Sequence, residues 1–378
     1  ADGTKFVDPA WNMEESPAEV LYVDRVGPGY DCTVGEPAGF KRLSDIVKDS
    51  AASDTGQMAM GALFGGLGAG APKKVAKKPA LFKGGVKAGD IVQGQIGTCF
   101  LLGAVGSIAA VNGSDVQKFF IKYDVDVGVY GVRFNVDGEW TYTIVDDYMP
   151  VDENGELLYS RCQDPQEVWV PILEKAYCKL HTCYEMCDGG QPTEAIFAFL
   201  GGVGGRFPVK RTDKRNPSGY FDLLRKSVSN GWLMTTGFKQ SAGGSRSAGK
   251  CGEGVLDNGL VAGHAYSVLK VVEAEGNQLV CCRNPWGTGE WTGRWSDGNA
   301  FGEWTDEMKE LTGYEGLDDG KFWMSIEDFV ANTSGVEYAR TFGPNWKKVT
   351  QYAKFPTQSV EVFGESGAED EDEDEVGC

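Results

Sequence analysis

The apolar residues change period several times along the chain, and each change marks an element. The densest run, "CFLLGAVGSIAAV" (99–111), is apolar all round yet shorter than the ~20 residues of a membrane span, so it predicts a buried helix. The glycine-bearing stretch "QGQIG" (93–97) precedes it and reads as a loop, which puts Cys99 at or just before the first helical turn. "GVYGVRFNVDGEWTYTIVDDYMPV" (128–151) alternates strand-fashion, with turn signals at "VDGEW" and "DENGE". "EVWVPILEKAYCKLHTCYEM" (167–186) has helical spacing, and "IFAFLGGVGG" (196–205) ends in glycines that suit a boundary. Beyond it, "GWLMTTGFK", "HAYSVLKVVEAEGNQLVCCRNPW" and "KFWMSIEDFV" predict strands with tight turns. Helix then belongs mainly to one half and sheet to the other, an α+β organisation. No internal repeat is visible. A segment low in complexity, "MGALFGGLGAGAPKKVAKKPALFKGG" (60–85), reads as part of an exposed insertion covering about residues 50–82.

Composition narrows the function classes. The 378 residues, 41% hydrophobic, can build two ordinary domains or one large bilobal one. The net charge of −19 includes seven charges from "EDEDEDE" (Glu369 to Glu375); the rest is still acidic at −12. Phosphate binding wants stripes of Lys and Arg, so nucleic acid is not expected as a partner. Such acidity suits calcium or plain solubility, and the tail reads as a disordered, solvated end. No basic-then-apolar leader and no transmembrane segment is seen, and the chain does not open with Met, as a processed or excised piece would not. Ten irregularly spaced cysteines then predict reduced thiols in the cytoplasm rather than a disulfide framework. Cys178, His181, Cys183 and Cys187 invite a zinc reading. One helix face cannot easily direct all four at one ion, so helix packing is the preferred reading.

A thiol at a helix start meets unpaired N–H groups whose partial positive charge favours the thiolate. Such a nucleophile needs a proton acceptor, and the chain offers only two histidines. His181 lies in the helical stretch among core-like residues. His264, in "NGLVAGHAYSVLKVV", follows a glycine at the start of a strand. Twenty residues on, "CCRNPWGTGEWTG" supplies Asn284 to orient the imidazole and Trp286 to shield that bond. Cys–His–Asn is a known nucleophile–base–orienter set. Gln93, six residues before Cys99, is a candidate oxyanion donor beside the Cys99 backbone N–H.

"QGQIGTCFLL", "GLVAGHAYSV" and "RNPWGTGEWTGRWSD" resemble the three active-site blocks of the calpain family of cysteine proteases. "FVDPAW", "FKRLSDI", "EVWVPILEKAY" and "KFWMSIEDF" fit in order over about residues 5–345. The resemblance implies an α+β, papain-like core of two lobes, one mainly helical and one mainly β, with the active site in the cleft between them. The lobes would span 1–203 and 204–345, with the acidic tail at 346–378. Cys99 matches the nucleophile, His264 the base, Asn284 the orienter, Gln93 the oxyanion glutamine and Trp286 the cleft tryptophan. Thr98 and Phe100 depart from the usual Asp and Trp, and Phe100 changes the packing under the loop. The family's C2-like and penta-EF-hand domains have no counterpart in the chain.

Calcium is the cofactor that the resemblance implies, one ion per lobe. Asp90 and Glu167 match carboxylate ligands in the first lobe, with backbone carbonyls near Lys83 and Gly85. Glu290, Asp297 and Asp319 match those of the second. Lys321 stands where another acid is usual and is expected to weaken that site. The leading expectation is a calcium-activated intracellular cysteine endopeptidase acting on protein substrates by limited proteolysis, with room for an endogenous protein inhibitor. A calcium-responsive binding scaffold of the same fold is the alternative. A secreted papain-type protease would want a signal segment, propeptide and disulfide spacing; a zinc-bound adaptor would rest on the 178–187 cluster.

Overall fold

The structure, a computed structural model, describes residues 4–24, 34–50, 78–239, 246–248, 253–298 and 301–342, with 347 and 349. Most of the expected insertion and nearly all of the acidic tail lie outside these residues. The described chain up to residue 342 falls within one compact unit.

The first two hundred residues mix helix and sheet, where the sequence pattern suggests a mainly helical half. The alternating segment forms two strands of its own, Val129–Val136 and Glu139–Asp146, paired antiparallel across the whole of both and joined at Asp137-Gly138. Both turn residues have positive φ, 50° and 85°, the backbone that lets a two-residue hairpin follow the sheet twist. Phe120–Asp124 adds a third strand, and two two-stranded ladders lie elsewhere in this half, Gly39–Arg42 with Tyr148–Val151 and Ile91–Val92 with Arg161–Cys162. Helices Pro17–Leu21, Cys99–Gln117, Trp169–Leu180 and Pro192–Leu200 lie in it as well, with a helical stretch at 43–50. A hydrophobic cluster from Trp11 to Phe199, extended by Leu233 and Ala339, forms their common core.

The rest of the unit is organised by a nine-stranded sheet. Its spine runs Arg246–Ala248, Gly254–Leu256, Val261–Ala262, Leu233–Phe238, Ala265–Ala274, Asn277–Arg283, Lys321–Ser325. Thr333–Arg340 pairs with both Leu233–Phe238 and Val203–Pro208. Ala265 sits opposite Gly237 and Ser267 opposite Arg283, so the start of the His264 strand and the end of the strand before Asn284 are neighbours. A second hydrophobic cluster fills one side, from Tyr220 to Val336, and a smaller one gathers Trp295, Trp304 and Trp323.

Two elements end earlier than their periodicity suggests. The helix read through residue 186 stops at Leu180. Thr182 turns to φ 88°, and its carbonyl accepts the Trp11 indole N–H at 2.8 Å, so a tertiary partner takes the place of another helical turn. "KFWMSIEDFV" is a strand only to Ser325, whose hydroxyl accepts the Asp328 N–H at 3.1 Å and caps helix Ile326–Asn332.

Helix Cys99–Gln117 is long and apolar enough to cross a membrane by length and composition. Leu101, Ala104 and Val105 are fully buried in the protein core, as expected for this run. The helix packs on strand Ala265–Ala274 through two glycines. A Cβ at Gly103 would come 3.5 Å from the Ala265 carbonyl oxygen, and one at Gly106 would come 2.5 Å from Ser267 Oγ. Ser267 Oγ in turn donates to the Gly103 carbonyl at 2.7 Å. This close crossing brings the helix start beside the strand start, and so Cys99 beside His264.

Candidate active site

Cys99 is the first residue of its helix, 7% exposed. The loop ahead of it is tied down on both sides. Gly97 N–H donates to Asp188 Oδ1 at 2.9 Å, and Gly189 N–H donates to the Gly97 carbonyl at 2.9 Å. Thr98, in place of the family's usual Asp, is buried and donates its hydroxyl to Glu174 Oε1 at 2.6 Å. Ser160 N–H donates to the other oxygen of that carboxyl at 3.0 Å. Full burial pushes the Glu174 carboxyl above the usual glutamate range, and these hydrogen bonds oppose the rise. Phe100 packs edge-on to Tyr177, its ring so near Gly190 that a Cβ there would sit at 2.7 Å.

His264 is buried and follows Gly263, whose φ of 74° carries the backbone into the strand. Its Nε2 lies 2.8 Å from Asn284 Oδ1. The same Oδ1 accepts the Trp286 backbone N–H at 3.0 Å, and Asn284 Nδ2 donates to the Gly289 carbonyl at 2.9 Å. These partners assign Oδ1 as the amide oxygen, so the proton between the side chains belongs to Nε2. Trp286 tilts over the pair, with ring centroids 5.0 Å apart. A His264 ring nitrogen, the Cys99 thiol and a Glu253 carboxylate oxygen all lie within 4.8 Å of one another.

Glu253 has no counterpart in the sequence reading. Its Oε1 sits 2.8 Å from His264 Nδ1, and no short-range pattern signals that a residue eleven positions before the histidine folds back onto it. Gln93 is fully buried. Its Nε2 donates to the Ile96 carbonyl at 2.8 Å, and its own N–H donates to Pro285, binding the loop before Cys99 to the loop after Asn284. A cleft of about 500 Å³ opens in front, with Cys99, His264 and Glu253 among its walls. Glycines are part of its lining: at Gly189 and Gly263 a Cβ would meet nothing within 4 Å. His181 is on the surface at the end of its helix, stacked on Tyr177 with centroids 4.5 Å apart, rather than within the core.

The candidate calcium residues gather in two acidic neighbourhoods. Glu167 Oε1 accepts the Lys83 N–H at 2.8 Å, which brings the 83–85 loop to it. Burial, followed by the Asp90 and Asp164 charges, raises its carboxyl to about 7. Asp90 is raised chiefly by burial, while the Lys87 N–H at 2.7 Å opposes the rise. In the second neighbourhood Glu290 Oε1 accepts Gly320 N–H at 2.8 Å. Burial and then Asp297, Asp318 and Asp319 raise Glu290 to about 8; burial and Asp319 raise Asp297 to about 6. Asp297 Oδ1 is buried with no hydrogen-bond partner among the described residues. Mutually repelling carboxyls and an orphaned oxygen are what a hard cation relieves, so the donors fit calcium. Among the described residues, neither neighbourhood gathers three ligand atoms within 4.8 Å of one another, and the 178–187 cluster does not either; calcium there would need backbone or water oxygens as well. Lys321 Nζ lies 2.6 Å from Glu315 and 3.5 Å from Asp319, so another acid takes up much of the cation expected to weaken the site.

Arg283, also missed in the sequence, is buried and donates to the Ile91 carbonyl at 2.7 Å. It feels the charges of Asp319, Asp90 and Glu290 at once, and burial lowers it to about 10 despite them. One guanidinium thus lies between the two acidic neighbourhoods.

Comparison with known proteins agrees with the motifs. The model of the calpain family cysteine proteases matches residues 70–340. The chain is 35% identical over 274 residues to the calpain-type cysteine protease DEK1 of Zea mays, covering 71% of this chain and 12% of that protein. It is 35% identical to the calpain-1 catalytic subunit of Gallus gallus and 34% to the calpain-2 catalytic subunit of Homo sapiens, each over 70% of this chain and 37% of theirs. The match therefore spans well under half the length of these relatives. With a thiol at a helix start, an imidazole held by an asparagine and a family match across most of its length, the chain belongs to the calpain family of cysteine proteases.

Proposed function

We propose that the chain is a calcium-activated cysteine endopeptidase with a papain-like, two-lobed core, acting on protein substrates. The observation that carries this reading is His264 fixed through Nε2 on Asn284 Oδ1 with the Cys99 thiol within 4.8 Å at a helix start. The cleft supports two lobes, since its walls come both from segments around 97–192 and from segments around 206–337. In the reaction, Cys99 Sγ attacks the scissile carbonyl as thiolate and His264 delivers the proton to the departing amine. His264 then takes a proton from water, whose oxygen displaces the thiolate from the acyl group. Asn284 holds the ring through both steps. The Cys99 backbone N–H and the Gln93 side-chain amide are the oxyanion donors in this reading.

Calcium, when bound, would neutralise the charge of these acidic loops. Asp90 and Glu167, with carbonyls near Lys83 and Gly85, would hold one ion; Glu290, Asp297 and Asp319 would hold the other. Arg283, the last residue of strand Asn277–Arg283 and the neighbour of Asn284, donates to the Ile91 carbonyl and feels the charges of Asp319, Asp90 and Glu290. Free thiols at the seven described cysteines suit a reducing, cytoplasmic setting. The test is hydrolysis of a fluorogenic peptide by the full chain, with and without calcium, beside Cys99→Ala. Calcium-stimulated turnover that vanishes in the variant supports the reading; equal turnover by Cys99→Ala overturns it.

A further inference from the structure

We propose that Cys99 Sγ, His264 Nδ1 and Glu253 form a binding site for a thiophilic divalent cation, zinc above all, that closes the enzyme reversibly. The inhibitory consequence rests on the protease reading; the metal site does not. Among the described residues, these three are the one group of Cys, His, Asp or Glu whose ligand atoms converge within 4.8 Å.

The geometry suits a cation as well as a shared proton. Nε2 faces Asn284 Oδ1, so Nδ1 is the ring atom turned to Glu253 Oε1, 2.8 Å away. At this distance a proton or a cation lies between the two atoms. A metal-bound histidine ordinarily donates its other ring N–H to an oxygen, and Asn284 Oδ1 is already that second partner. The second Glu253 oxygen is buried with no hydrogen-bond partner among the described residues. Burial without a partner is costly for a carboxylate, and coordination would relieve it.

Sulfur, nitrogen and oxygen from three separate segments suit zinc, whose sites take these donors tetrahedrally with water in the open position. At ordinary zinc bond lengths the donors stand roughly 3.3–3.6 Å apart, so Glu253 and His264 need to separate by only about half an ångström. Binding releases the thiol proton and any proton shared between Nδ1 and Oε1, forming Zn–S, Zn–N and Zn–O bonds with no change of oxidation state. The nucleophile and its base are then both engaged, and chelation restores them.

Cobalt(II) titration of the full chain in chelator-cleaned buffer tests the site directly, with zinc competition giving affinities. A thiolate-to-cobalt charge-transfer band should appear at one equivalent, disappear in Cys99→Ala, and require at least tenfold more metal in Glu253→Gln. The zinc concentration that half-inhibits peptide hydrolysis should rise at least tenfold in Glu253→Gln; where that variant does not fold, Glu253→Asp should fall between it and the parent. Absence of the band in the parent, or unchanged affinity on altering Glu253, overturns the site. A parent that shows the band but never hydrolyses peptide in calcium defeats the protease reading and leaves the metal site standing.

Discussion

At the scale of single residues, the two histidines separate by their partners. His264→Ala removes the group beside Cys99 and should lower peptide turnover by about 10³-fold. His181→Ala loses only a surface stacking on Tyr177 and should cost about 1 kcal/mol of stability with turnover kept. Steady-state kinetics beside thermal melts of both variants checks the pair. Glu174 makes a pH prediction. Its carboxyl is raised by burial, so the folded chain binds more protons than the unfolded one above the ordinary glutamate range. Stability contributed by this group is therefore complete below that range and is lost as pH rises toward the raised value. Glu174→Gln should make the fall in unfolding free energy above the ordinary glutamate range shallower, as urea denaturation at rising pH would show. A variant as steep as the parent would place the titration elsewhere.

At the scale of elements, the proposed catalytic geometry rests on how closely helix Cys99–Gln117 crosses strand Ala265–Ala274. Gly106 leaves room for Ser267 Oγ, and the hydroxyl reaches the Gly103 carbonyl only because of that room. Gly106→Ala places a methyl 2.5 Å from the hydroxyl oxygen and should push the helix outward. Overpacking of this kind costs about 1–3 kcal/mol, and a shift of the thiol of about 1 Å can cost 10²-fold in rate. The expected result is a loss of kcat larger than the loss of stability suggests, with KM little changed. Full activity in Gly106→Ala would mean that the crossing does not set the distance between Cys99 and His264.

At the scale of the whole molecule, the proposed calcium dependence and the placement of Arg283 belong together. Two acidic neighbourhoods share one buried cation, and each carries carboxyls raised by burial first and by neighbouring acids after it. Ion binding can shift the balance of inactive and active arrangements only by its differential affinity for them. Asp90→Ala should raise the calcium needed for half-maximal activity, with the maximal rate largely kept if the second neighbourhood suffices. Lys321→Glu removes the ammonium that lies between Glu315 and Asp319 and should lower that requirement several-fold. Full activity in chelator, or a Lys321→Glu variant with unchanged calcium response, would count against the switch.

Much of this molecule was legible from the chain because its signals are local. Alternation and the Asp137-Gly138 and Glu275-Gly276 turns specify hairpins through neighbours alone, and the uniformly apolar run after Cys99 requires burial wherever the helix lies. The placing of Cys99, His264 and Asn284 within three motifs marks the candidate site from the chain alone. Tertiary structure decided what local rules cannot reach. It ended the helix at Leu180 by giving the Thr182 carbonyl to Trp11. It turned the half expected to be mainly helical into a mixture, because strands such as Gly39–Arg42 find partners over a hundred residues away. It placed Glu253 on Nδ1, Glu174 under Thr98 and Arg283 between the acidic loops. Each of these is a charged or polar contact made by side chains from separate segments. Its energy depends on burial and distance in space, and neither is a property of sequence neighbours.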